Sequence, residues 1–153
     1  MIPTNPRPDF SGVWEMNLER SILRGPAPKR ILIKLEHREP RLIQQIHLTD
    51  AAGVEQRLTF TYETGAETTN FVGEATARTQ ARWEETELVI ESRMKTPARE
   101  FRFKDHWSLS DDGRTLTMAH RDDGLAGQVS VLEKCSEADT TSFGRNSDIK
   151  SRP

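Results

Sequence analysis

"FRFKDHWSLSDDGRTLTMAH", residues 101–120, alternates apolar and polar side chains on both sides of a compact turn. Phe101, Phe103, Trp107 and Leu109 fall in one phase, and Arg102, Lys104, His106 and Ser108 in the other. A period of two is the signature of a strand with one oily and one wet face. Between the runs, Ser110-Asp111-Asp112-Gly113 supplies turn chemistry, because Asp bonds its own backbone and Gly accepts positive φ. Beyond it Leu116 and Met118 alternate with Thr115 and Thr117. The stretch therefore reads as an antiparallel hairpin that buries one face.

The same grammar extends over most of the chain. Short alternating runs place ten strands near 10–18, 30–37, 41–49, 54–63, 67–72, 75–84, 87–95, 98–109, 114–121 and 127–135. Short connections such as Glu39-Pro40, Asp50-Ala51-Ala52-Gly53 and Thr64-Gly65-Ala66 make successive strands antiparallel neighbours, which is a meander. A sheet this long must curl, and curling it into an up-and-down β-barrel buries the oily phase and removes the edges. The expected fold is all-β, with residues 1–135 as one domain. Residues 18–29, "LERSILRGPAPK", break the rhythm and read as a short helical turn or flap followed by an extended crossing over one barrel end. Residues 136–153 are polar and poor in apolar anchors, as expected of a disordered tail.

Composition narrows the partners. In 153 residues, 22 basic and 24 acidic side chains nearly cancel, so a nucleic-acid backbone is not an expected partner. Apolar residues make up 34% and charged ones 30%, which suits strands that each show one face to water. The single cysteine, Cys135, forms no internal disulfide and reads as an inert thiol at the end of the last strand. Residues 1–10 carry three prolines and no apolar run, so neither a signal peptide nor a membrane span is expected and the chain reads as cytoplasmic.

Two features point to the interior. The sixth strand, "ATARTQARW", aims Ala75, Ala77, Thr79 and Ala81 inward and Thr76, Arg78, Gln80 and Arg82 outward, and such a small-residue row leaves space. Polar residues also interrupt the apolar phase: Gln44, Ser92, Asp105 and His120. A carboxylate in an apolar lumen is costly unless paired, hydrogen-bonded or protonated. Asp105 is thus an anchor for a ligand hydroxyl, amine or water, with a β-bulge that returns it to solvent, or a structural ion pair, as the plainer alternatives.

Gly12-Val13-Trp14 is the point at which the chain resembles the lipocalin and calycin barrels, whose first strand opens on Gly-x-Trp. It is more closely similar to bacterial lipocalin-like domains through "DFSGVW" (9–14), Asn17, "GPAPK", "ETTN" (67–70), "LVIES" (88–92) and "WSLSDDGRTLT" (107–117), a likeness spanning residues 9–134. The resemblance implies that Trp14 plugs the closed end beside a basic residue of a late strand, for which Lys134 is the counterpart. It also exposes a departure. Fatty-acid-binding relatives hold the carboxylate with an Arg-x-Tyr late in the chain, and "GQVSVLEKC" contains neither residue.

The expected function is non-covalent binding of a small hydrophobic molecule in the lumen, with no cofactor. Leu58, Phe60, Tyr62, Thr79, Ile90, Phe103, Trp107 and Met118 would form the wall, and Ser92, Asp105 and His120 would orient a polar group. Two rival readings stay open: a filled barrel that contacts other proteins, and a small-substrate isomerase or hydrolase built on Asp105 and His120. His120 as a haem ligand is a further possibility. His37, His47 and His106 read as surface residues.

Overall fold

The computed structural model describes residues 7–122 and 127–135. The expected tail at 136–153 lies outside the described residues. Ten strands follow in chain order: β1 (Gly12–Met16), β2 (Arg30–Arg38), β3 (Arg41–Thr49), β4 (Glu55–Glu63), β5 (Glu67–Val72), β6 (Ala75–Glu84), β7 (Glu87–Lys95), β8 (Glu100–Leu109), β9 (Thr115–Asp122) and β10 (Gln128–Lys134). They form one antiparallel sheet in the order β4-β3-β2-β1-β10-β9-β8-β7-β6-β5. Because β1 pairs with β10, the meander closes on itself through its first and last strands. The result is an up-and-down barrel with a seam between β4 and β5.

The seam is not left raw. Oδ1 of Asn70 on β5 accepts the Thr61 N–H of β4 at 2.7 Å, and its Nδ2 donates to the Thr61 carbonyl at 3.0 Å. One side-chain amide thus stands in for the missing backbone ladder. Below it, Gly65 donates its N–H to Ala81 O at 2.8 Å.

Register confirms which phase points inward. Trp14 lies opposite Ile33 and Lys134, Leu42 opposite Tyr62, and Trp107 opposite Leu88 and Met118. These residues and their neighbours form the main apolar cluster, with Phe10, Trp14, Leu35, Leu42, Leu88, Ile90, Leu116 and Leu132 essentially inaccessible. A smaller outer cluster joins Val13, Leu32 and Cys135.

One end of the barrel is plugged by aromatics. Phe10 stacks on His37 and Trp83 at 5.6 and 5.9 Å and meets Trp107 edge-on at 5.8 Å, while Tyr62 meets Trp107 edge-on at 6.0 Å. Trp14 donates Nε1–H to the Phe10 carbonyl at 3.0 Å. The Lys134 ammonium sits 5.7 Å from the Trp14 ring centroid, a cation over a π face. Gly12 has φ +139° and a Cβ there would lie 3.0 Å from Lys134 Cε, so the glycine of Gly-x-Trp makes room for that lysine.

His37 corrects the surface reading. Its side chain is buried in the plug, where Nδ1 accepts the Phe10 N–H at 3.2 Å and Nε2 faces Glu39 Oε2 at 2.6 Å. Strand-end position suggested exposure, but the N-terminal segment folds back over the ring. Glu39 also accepts from Thr64 Oγ1 and Trp83 Nε1, at 2.8 and 3.1 Å. Burial pushes its carboxyl up, but the hydrogen bonds from His37, Thr64 and Trp83 outweigh this and hold it below the ordinary carboxylate range.

At the opposite end, residues 18–29 form a strap without a helix: a turn at 18–20, then the antiparallel bridge Ile22↔Val129. Leu18 and Leu23 tuck against the core. The strap gains its backbone partners from β10, which explains why a segment lacking period-two alternation still lies on the sheet. It rejoins the barrel where Lys29 N–H donates to Thr49 O. No helix among the described residues is long and apolar enough to cross a membrane.

Candidate functional site

The eleven residues singled out from sequence all lie on the inward phase, but at two levels. Tyr62, Thr79, Ile90, Trp107 and Met118 are buried, most of them in or beside the plug. Leu58, Phe60, Ser92, Phe103, Asp105 and His120 lie toward the strap end and keep partial exposure, as do their inward neighbours Ile31, Ile46, Met94 and Phe101. In a filled barrel these side chains would be as inaccessible as Leu42 or Leu88. The interior side chains are thus inaccessible at the plug and partly exposed toward the strap.

Asp105 and His120 meet at the boundary between these levels. They are direct cross-strand partners on β8 and β9, and the pairing on both sides of Asp105 is regular, so no bulge turns it outward. His120 Nδ1 lies 2.6 Å from Asp105 Oδ1, and Nε2 is in ion-pair contact with Oδ1 of Asp122. That Asp122 oxygen is inaccessible to solvent and has no partner other than the ring among the described residues. The strap's Arg24 approaches Asp122 Oδ2 at 3.5 Å. The imidazole thus lies between two carboxylates, the outer of which is tied to the strap.

The hydrogen bond to Asp105 lifts the His120 pKa above the usual histidine value; burial opposes it, and the charges of Asp105 and Asp122 add to the rise. Phe103 covers the ring at 5.3 Å between centroids. Farther in, Tyr62 donates to Gln44 Oε1 at 3.0 Å, and burial with the nearby Asp105 charge keeps its hydroxyl protonated. On the adjoining wall Thr79 Oγ1 and Ser92 Oγ lie 3.1 Å apart.

This geometry bears on the chemistry. Iron ligation needs a free imidazole lone pair, and both His120 nitrogens face carboxylates. General-base work needs one nitrogen open to substrate, and Asp122 covers the one that Asp105 does not. What the geometry shows is a hydrogen-bonded polar cluster on the inward face, beside apolar side chains. Asp122 and Arg24 were missed in the sequence reading. Asp122 continues the inward phase of Met118 and His120, so its position was legible, whereas the reach of Arg24 depends on where the strap lies.

No family model matches this chain, and no curated protein matches it in sequence. Solved structures do match in shape. A secretory abundant heat soluble protein from Ramazzottius varieornatus superposes with a TM-score of 0.63 at 14% identity, covering 82% of this chain and 94% of that one. The fold is calycin-type. The REP1-NXSQ fatty acid transporter gives a TM-score of 0.60 at 9% identity, covering 84% of this chain and 97% of its own. The wild-type fluorescent protein UnaG gives a TM-score of 0.57 at 14% identity, covering 82% of this chain and 97% of its own. Full-length coverage of such calycin barrels at low identity shows a shared architecture.

Proposed function

We propose that this protein binds a small, largely apolar molecule non-covalently in the barrel lumen. The observation that supports it is the graded interior: a sealed aromatic plug below, and partly exposed inward side chains above, around Leu58, Phe60, Phe103 and the Asp105–His120 pair. Each methylene moved from water onto such a wall is worth about 0.8 kcal/mol, so a modest chain suffices for useful affinity. Asp105, Ser92 and His120 would orient the polar end. The likeness to a fatty acid transporter agrees with a ligand-holding barrel and leaves the ligand open.

A groove of about 500 Å³ outside the mouth, between the strap (Leu23, Pro26, Pro28) and the turn at Asp50–Ala52, lies where a ligand would enter. The test uses the neutral dye N-phenyl-1-naphthylamine, whose emission rises in a dry pocket. Enhancement by the wild-type chain should disappear in both Phe60→Arg and Ala77→Trp while circular dichroism still reports a β-fold. Enhancement that persists in both variants would refute a lumen site.

A further inference from the structure

The charges inside the barrel narrow the ligand. On the inward phase of the ten strands, the acidic and basic side chains among the described residues are His37, Asp105, His120, Asp122 and Lys134. His37 and Lys134 belong to the plug, held against Phe10 and Glu39 and over the Trp14 ring respectively. The strap-side half is left with two carboxylates and the imidazole between them. A guanidinium from the strap, that of Arg24, lies against Asp122.

An incoming anion finds no cationic donor there that is not already set against a carboxylate, and among neutral donors it finds one hydroxyl of the Thr79–Ser92 pair. Both His120 nitrogens face carboxylates, and the Tyr62 hydroxyl already donates to Gln44. A donor is better placed. His120 takes one oxygen of Asp105, and the other makes no hydrogen bond among the described residues. Ser92 on β7, next to β8, and Thr79 on β6 beyond it bond each other through their hydroxyls and can accept as well as donate. A hydrogen bond to an ionised acceptor in a partly dehydrated site is among the stronger kinds.

We propose that the lumen selects amphiphiles whose polar end donates a hydrogen bond to Asp105, a hydroxyl or an amine, and turns away carboxylates of the same chain length. The inference rests on the lumen reading above and specifies its ligand.

Calorimetric titration of the full chain with 1-decanol, decylamine and decanoate, equal in chain length, tests it. Decanol or decylamine should bind at least about tenfold more tightly than decanoate, since a second carboxylate near Asp105 at an effective dielectric of about 20 is strongly repelled. The alcohol and amine arms tell which donor is preferred. In Asp105→Asn, decanoate should gain and the gap should shrink to within about threefold, as removal of one charge predicts. Decanoate binding as tightly as decanol, or a gap unchanged in Asp105→Asn, would overturn the selectivity and leave the lumen site standing. Failure of all three probes to bind the wild-type chain would count against the lumen reading itself, and the selectivity with it.

Discussion

Asn70 of β5 grips the backbone of Thr61 on β4 with both ends of its amide, at 2.7 and 3.0 Å, across the one neighbouring strand pair that lacks a backbone ladder among the described residues. Asn70 is buried and Thr61 half-buried, so the Thr61 groups it serves are only partly open to water. Asn70→Ala should cost about 1–3 kcal/mol, the penalty of leaving a partly buried donor and acceptor unmet. Urea unfolding monitored by tryptophan fluorescence measures it. A loss below about 0.5 kcal/mol, the scale of an ordinary surface substitution, would show that the seam does not depend on this residue.

Gly12 supports the plug in a different way. Its φ of +139° is hostile to any side chain, and an added Cβ would press Lys134 Cε away from the Trp14 ring. Gly12→Ala should destabilise the barrel by about 1–3 kcal/mol, chiefly through backbone strain. Lys134→Met keeps most of the packing and loses only the cation, so it should cost less than about 1 kcal/mol. If the two variants ranked in reverse, the glycine would not be the constrained element. Thermal or urea midpoints of the pair decide this.

His120 should titrate above the ordinary histidine range near 6.5, because the bond to Asp105 favours the imidazolium. The sign follows from linkage: a folded pKa raised above the unfolded one stabilises the fold fully below the unfolded value. That stabilisation is lost as pH rises through the elevated folded value. Asp105→Asn should move the His120 midpoint down and flatten the stability profile across this window. Proton NMR of the His120 ring against pH reads the midpoint directly, and an unchanged midpoint in the variant would assign the shift to other neighbours.

Much of this architecture was legible in residue order because a strand writes its two faces into alternate positions. The phase of Phe101, Phe103 and Trp107 and the turn at Asp111–Gly113 announced a hairpin, and repeated short turns left a meander with little choice but to curl. Asp105, Ser92 and His120 were likewise legible, as polar residues standing in an oily phase. His37 was misread because alternation says nothing of a segment from elsewhere folding over a strand end. Asn70 could not be read as the partner of Thr61, since a side chain there replaces a backbone ladder, and Arg24 could not be read as the partner of Asp122, since the two meet only after closure.

Local periodicity thus determined the strands, their faces and the curled sheet, through steric and solvation preferences that act within a few residues. Tertiary closure alone decided where the seam falls, how deep the aromatic plug reaches, and that the strap's Arg24 lies against Asp122. Those outcomes depend on distances between side chains far apart in sequence, which no local pattern encodes.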